Sequence, residues 1–545
     1  MAQGKKDSFI MQAGILAAAG FVSKIIGTLY RTPLTAIIGN EGNGYYGAAY
    51  YVYLIILTIA SYSMPTAISK IISSHLANRQ YKNAQRVLKC ALLYVTVMGI
   101  LASLLLFFGA DLFLEPNSAV VLRVFTPTII IYGYLGVLRG YFQAHRTMAQ
   151  TSVSQILEQI ANAFVSVFAA YFLTNMVKDS DATTKAIYGA CGSALGTGSG
   201  VLIGLLFMIG MYLLNRKIIA NRLRRDHTPD SELMSYGAIF KSLLLIVTPI
   251  IISSCIYNMN TVVNQTVFEK ILINVKNYTE AEASKLYGVY SGRVVVIANI
   301  PVAIGAAMSS AMIPTVSSLF EQRDLDGINR KMGDGIRATM LVSIPAAVGL
   351  CVLARPIMQL LQPSAEYFDL AVSLLRIMSV SVIFYQISTI SNGVLQGIGR
   401  VNIPVINSGV ALIAQTILIV PFLMWTEINC YALVIATIFY TVLISALNQL
   451  SVRRHTGYRQ EIPRTFLAPL VASAFMGLAA LGVYDGLMAL NLRYWIALFA
   501  AIFVAILVYF VAIIKVSHLT AEDLRRFPKG RYLAKIALKL HLVKE

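Results

Sequence analysis

The sequence is poor in charge. Asp, Glu, Lys and Arg make up 13% of its 545 residues, against about 25% in ordinary soluble domains, and that deficit argues against a soluble protein. Cysteine is scarce too. Cys90, Cys191, Cys255, Cys351 and Cys430 lie far apart, with no C-x-x-C pair and no histidine cluster, so neither a disulfide framework nor a zinc site is indicated. They read as small buried apolar residues. No G-x-x-x-x-G-K-[ST] run occurs, which argues against a pump that hydrolyses nucleotide. What fills the chain is apolar: 57% of residues and a mean hydropathy of +0.69. That is more than compact cores can bury, so most of it must face lipid or other membrane helices. With 44 bases against 25 acids the formal charge is +19; in a membrane protein such an excess belongs first to cytoplasmic loops rather than to nucleic acid.

Runs long enough to cross a hydrocarbon core of about 30 Å as helices recur from end to end. Fourteen are expected, over 8–38, 45–71, 87–109, 119–142, 152–174, 186–214, 236–268, 284–318, 334–354, 366–395, 402–424, 429–450, 465–485 and 493–516. An even number puts both termini on one side. Loops on that side, with the tail, carry 30 Lys and Arg, whereas the opposite loops carry seven; by the positive-inside rule both termini are cytoplasmic. Lys5 and Lys6 before an Ala-rich run imitate a secretory signal, but no convincing cleavage site follows and thirteen further spans do, so this is read as a permanent helix. The expected protein is multi-pass, with its loops and tail meeting the cytoplasmic membrane surface.

Two halves can be superposed. Ser63-Met64-Pro65-Thr66 corresponds to Met312-Ile313-Pro314-Thr315, Leu122-Arg123-Val124 to Leu375-Arg376-Ile377, and Arg139-Gly140-Tyr141-Phe142-Gln143 to Asn392-Gly393-Val394-Leu395-Gln396. Agreement at separated places argues for duplication. The expected fold is therefore an all-α polytopic membrane protein of about 14 helices. Two six-helix bundles, 1–214 and 236–451, would be related by a pseudo-two-fold axis along the membrane normal and flank a cavity. A basic connector, 215–235, joins them; two additional helices occupy 452–516, and a basic amphipathic tail, 517–545, lies on anionic lipid at the inner surface.

Ionisable groups inside a bilayer are costly and need a cavity, a partner or a route to the interface. Here they are nearly all cations. Lys24 and Arg31 share one face of the first helix at two-turn spacing, and Arg293 lies in the eighth. Phosphate or pyrophosphate suits such a set, since guanidinium binds it in a fork and ammonium as a point charge; the alternative is snorkelling or structural hydrogen bonding. Lys70 and Lys241 sit near cytoplasmic helix ends and are assigned to snorkelling. Arg123 and Arg376, at equivalent repeat positions, are secondary candidates. So is Glu158, read as the only carboxylate well inside a span, which can pair a cavity arginine, take part in cation coupling or be satisfied by polar neighbours. Asn260 and Asn264 share a face of the seventh helix as either a sugar-binding stripe or interhelical hydrogen bonding. Gly192, Gly196, Gly200 and Gly204 form a small-residue groove for packing. No nucleophile, acid/base pair or metal cluster is evident, so a transporter without a bound cofactor is expected rather than an enzyme, and any coupling ion, Na⁺ or H⁺, is left open beside the membrane potential.

Ser23-Lys24-Ile25-Ile26-Gly27, Arg31, Ile37-Ile38-Gly39 and Gly42 to Tyr46, with Tyr287-Gly288-Val289-Tyr290-Ser291-Gly292-Arg293 and Ile313-Pro314-Thr315, resemble bacterial polysaccharide exporters of the multidrug/oligosaccharidyl-lipid/polysaccharide superfamily. The nearest likeness is to the stage V sporulation protein B group and the Gram-positive lipid II flippases, over nearly the whole chain. The resemblance implies movement of an undecaprenyl-pyrophosphate-linked saccharide from inner to outer leaflet, with Lys24, Arg31 and Arg293 holding the pyrophosphate. It also implies a groove for the polyprenyl tail in the last two helices, secondary coupling, and cell-wall synthesis enzymes as partners. The competing readings are a cation-coupled multidrug antiporter of the same superfamily, against which the positive cavity argues, and a nontransporting scaffold for wall or spore-coat synthesis.

Overall fold

A computed structural model describes residues 19, 20, 22, 23, 26, 27 and 29–516, apart from 63, 146, 225, 227, 228, 230–232 and 362–365. Lys24, most of the first expected span and the tail 517–545 lie outside the described residues. Among those described, all regular structure is helical, and twelve helices are long and apolar enough to cross a membrane. They coincide with twelve of the fourteen expected spans; a thirteenth, 236–268, falls within the helix Tyr236–Asn274. The protein is a multi-pass membrane protein. Phe108, Phe164 and Phe168 are more than 70% exposed, the apolar surface that lipid-facing helices present.

The chain divides into two units, residues 1–293 with 408–433, and 294–407 with 434–545. In the first, α1 (Arg31–Leu57) leaves helical geometry at Gly39, with φ 69° and ψ −173°. That backbone is open only to glycine, so 31–38 and 40–57 are separate segments hinged at one residue. A π-helical turn, Thr58–Tyr62, leads to α2 (Met64–Ala77). There follow α3 (Tyr81–Phe113), α4 (Pro116–Ala144), α5 (Met148–Met176), α6 (Ala182–Leu214), a short α7 (Arg216–Arg224) inside the expected connector, α8 (Tyr236–Asn274) and α9 (Glu280–Val289). Starts are marked by caps: Asp181 accepts from the Thr184 N–H at 3.1 Å and its hydroxyl at 2.6 Å, bonds that hold its carboxyl below the usual range. Thr279 and Glu282 form a reciprocal capping box on α9.

Glycines set the closest contacts. A Cβ at Gly196 would lie 2.4 Å from the Ser166 backbone, and one at Gly192 2.5 Å from that of Ala170, so the small-residue groove of α6 is where α5 packs. Two buried clusters complete the unit. One joins Ile68 and Ile72 of α2, Val87 and Leu88 of α3, and Leu135 and Val137 of α4; the other joins Tyr46 and Val52 of α1 to Phe125 of α4 and Ala190 of α6.

In the second unit α10 (Val296–Glu321), α11 (Leu325–Val352) and α13 (Phe368–Gly397), which follows the short α12 (Ala354–Leu361), share a core of Val316, Met332, Ile336, Ile390 and Val394. Helix α14 (Asn402–Trp425) leads to α15 (Cys430–Thr456), whose Val452 joins that core. Gly140 of α4 rests on Pro65 of α2, and Gly393 of α13 rests on Ser309 of α10, five residues before the Pro314 that the duplication pairs with Pro65. The last helices, α16 (Ala468–Ala489) and α17 (Tyr494–Val516), pack on each other through Met476, Ala480, Leu498 and Ala505. Tyr509 donates to the Leu341 carbonyl of α11 at 2.7 Å.

Candidate functional site

The motif residues of α1 and α9 meet. At Gly44 an added Cβ would fall 2.0 Å from the Ser284 carbonyl oxygen, and at Gly288 2.0 Å from that of Asn40. A backbone can come this close only where the residue facing it has no Cβ. The approach positions Arg293, on a π-helical turn (Tyr290–Val295) that continues α9. Arg293 is 4% exposed and its Nη2 donates to Asn40 Oδ1. π-turns redirect a side chain by inserting one residue into the helical ladder, and Arg293 sits within that insertion. Asn43, one turn further along α1, donates to Thr35 Oγ1 and the Gly39 carbonyl, both at 2.9 Å, fixing the hinge.

Arg31 is half-buried, with its guanidinium 4.8 Å from the centre of the Tyr46 ring and 6.0 Å from that of Tyr30. Planar stacking suits arginine, and the ring quadrupole stabilises its charge. Tyr46 continues into an aromatic wall: it stacks on Tyr50 at 5.8 Å, and Tyr53 stacks on Phe125 at 4.7 Å. The Tyr46 hydroxyl is 3.1 Å from Thr197 Oγ1. Arg31 and Arg293 are thus joined through one helical segment, 40–57, which supplies Asn40 to one and Tyr46 to the other.

At the adjoining end lies a polar lattice that sequence reasoning missed. Glu41, 6% exposed, accepts from the Tyr45 hydroxyl at 3.0 Å and lies 3.9 Å from Lys285 Nζ. Asn117 donates its side-chain amide to the Tyr45 hydroxyl at 3.3 Å and its backbone N–H to Glu280 at 3.1 Å. Glu41 and Glu269, 5% exposed, correct the expectation that Glu158 is the only carboxylate well inside a span. Both lie at or beyond the ends of the expected spans, and burial by neighbouring helices carries no periodic signal.

The secondary candidates go elsewhere. Arg123 donates to Asp111 and, at 3.2 Å, to the Phe107 carbonyl; Arg376 is exposed. Glu158 accepts from Arg139 Nη2 at 2.7 Å, and Arg139 Nε donates to Ser154 Oγ at 2.8 Å. Arg139, counted as a loop cation, is 6% exposed inside α4. Asn264 accepts from Gln415 Nε2 at 2.6 Å and donates to Asn260 Oδ1 at 3.4 Å, the interhelical alternative for this pair. Among the described residues no three acidic, His or Cys side chains could hold a metal ion together.

The polysaccharide biosynthesis protein family model matches residues 10–320, which include Arg31, the Gly39 hinge, the α1–α9 crossing and Arg293. The chain belongs to this family. The MatE family model matches residues 292–420. Two curated relatives from Bacillus subtilis (strain 168) are similar along most of their length. Stage V sporulation protein B is 25% identical over 536 residues, 96% of this chain and 98% of the relative; lipid II flippase MurJ is 24% identical over 481 residues, 85% and 86%. A solved structure of lipid II flippase MurJ, in an inward closed conformation, superposes with a TM-score of 0.65 at 17% identity, covering 92% of this chain and 98% of that one. This likeness places the family member in the same two-lobed helical fold.

Proposed function

We propose that the protein is a flippase that carries an undecaprenyl-pyrophosphate-linked saccharide, lipid II or a related wall or polysaccharide precursor, from the inner to the outer leaflet by alternating access. The observation that carries this reading is the pair of membrane arginines held on one segment, Arg293 against Asn40 and Arg31 against Tyr46. An arginine inside a membrane costs about 2.5–3.5 kcal/mol on insertion scales. A neutral amide or an aromatic face orients the guanidinium without adding negative charge, and a pyrophosphate group suits two guanidinium forks. Tyrosine faces beside them suit sugar rings. Lys24, seven positions before Arg31 in sequence and outside the described residues, is assigned to the same substrate. Similarity to MurJ and stage V sporulation protein B supports the substrate class.

In this reading the bundles 1–214 and 236–451 act as the two lobes, with both termini cytoplasmic in a bacterial plasma membrane. The basic connector and tail contact anionic lipid, and cell-wall synthesis enzymes deliver the substrate. The match of the MatE model to 292–420 supports a second reading, a cation-coupled multidrug antiporter. The experiment is rescue of a bacterium depleted of its lipid II flippase, scoring surface-exposed lipid II with wild type and Arg293→Ala at matched expression. Rescue by wild type alone is expected. Failure of both, with correct insertion, moves the substrate to another polyprenyl-linked saccharide, and full rescue by Arg293→Ala removes the assigned site.

A further inference from the structure

Arg31 has a second aromatic neighbour besides the Tyr46 wall. The Tyr30 ring, 6.0 Å from its guanidinium, also lines an apolar groove of about 500 Å³ between the start of α1 and the side of α5, with Ile37 beside it and Ala163, Phe164, Val167 and Phe168 opposite. Among the described residues none that lines the groove is charged. Leu34, Ile38 and Ala170 form a buried cluster with Tyr30, so the groove has a packed floor. Its outer wall is a row of rings. Phe164, Phe168 and Tyr171 follow one another at four- and three-residue spacing, one ring per turn along about 10 Å of α5, and all three are exposed.

The cation and the groove wall belong to one piece of backbone. The Tyr30 N–H donates to the Ile26 carbonyl and the Leu34 N–H to that of Tyr30, both at 3.2 Å, so the helix runs unbroken past Arg31. Tyr30 and Ile37, two turns apart, both precede the hinge at Gly39, and Arg31 keeps its relation to them whatever the hinge does. An amphiphile whose anion sits at Arg31 would therefore lay its chain over Tyr30 and along the rings of α5. The hydrophobic effect does not select such a ligand, because bulk lipid tails are as apolar as the groove. Selection has to come from the charged head at Arg31 and from close contact between chain methyls and ring faces. One row of rings matches one chain. A phospholipid with its phosphate at Arg31 would leave a second chain unpacked, whereas a polyprenyl pyrophosphate has a single branched chain and a doubly charged head.

We propose that this groove holds the isoprene units nearest the head of the lipid whose pyrophosphate Arg31 binds, a tail site in the first unit and not in the last two helices. The proposal rests on the flippase reading, and its test separates the two. The full chain, in nanodiscs of zwitterionic lipid, is photolabelled with a polyprenyl pyrophosphate that carries a diazirine in its first isoprene units and no saccharide, and the labelled peptides are mapped by mass spectrometry. Label should fall on residues 163–171 and be displaced by the same lipid without the diazirine, but not by phosphatidylglycerol. Val167→Trp, which fills the groove, and Arg31→Ala, which removes the anchor for the head, should each cut that label several-fold. Displaceable label on 468–516 in place of 163–171 overturns the groove and leaves the flippase reading standing. Equal displacement by phosphatidylglycerol makes the groove a site for bulk phospholipid and also overturns it. No displaceable label anywhere removes both readings. Should Val167→Trp fail to fold, Phe168→Ala, which opens the exposed wall, decides: unchanged label on 163–171 overturns the proposal.

Discussion

Arg139 and Arg293 are both buried arginines inside helical spans of the first unit, yet the protein completes them differently. Arg139 faces a carboxylate, Glu158, at 2.7 Å and a serine hydroxyl at 2.8 Å; the pair is neutral and ties α4 to α5. Arg293 donates to an amide oxygen, Asn40, a neutral acceptor that brings no charge of its own. The lesson is that a membrane cation matched by a carboxylate is a structural cross-link, whereas one steered by a neutral acceptor keeps its attraction for an anion.

The largest break in that comparison should come from Glu158→Ala. It strands Arg139 and should cost about 3–5 kcal/mol, with Arg139→Met in the same chain restoring most of it; chemical unfolding of both variants in detergent checks this. Next comes Gly288→Ala, whose Cβ would collide with the Asn40 carbonyl oxygen at 2.0 Å. Backbone must shift, at about 1–3 kcal/mol, and Arg293 loses its register, so transport should fall further than stability does. Asn40→Asp sharpens the contrast by giving Arg293 the kind of partner that Arg139 has. The fold should survive, while anion affinity drops about tenfold, equivalent to about 1.4 kcal/mol; binding of a pyrophosphate lipid to the purified protein measures it. Smallest of all, Arg123→Ala removes a surface pair with Asp111 worth under about 1 kcal/mol and should leave transport at the wild-type rate.

Legibility in the sequence followed the physics of each feature. The spans were readable because twenty or so apolar residues have few alternatives to a membrane helix, and the α6 glycines were readable as packing because their four-residue spacing makes one face. Arg293 was conspicuous as a charge in an apolar run. Arg139 was not, since a cation near the end of an apolar run looks the same in sequence whether it snorkels or turns inward to Glu158. Glu41 and Glu269 were missed because they flank the apolar runs, and only packing by α4 and α9 shows that those flanks are buried.

Sequence alone determined the membrane class, the approximate helices, the duplication, the family likeness and the unusual positive charge of the spans, because each is a property of composition or spacing along one strand of chain. Tertiary structure decided which charges answer which. The Gly44–Gly288 crossing, the hinge at Gly39 and the π-turn at Arg293 set distances of a few ångströms between residues some 250 positions apart, as in Arg293 and Asn40. Hydrogen bonds and ion pairs depend on those distances far more steeply than hydrophobic burial does.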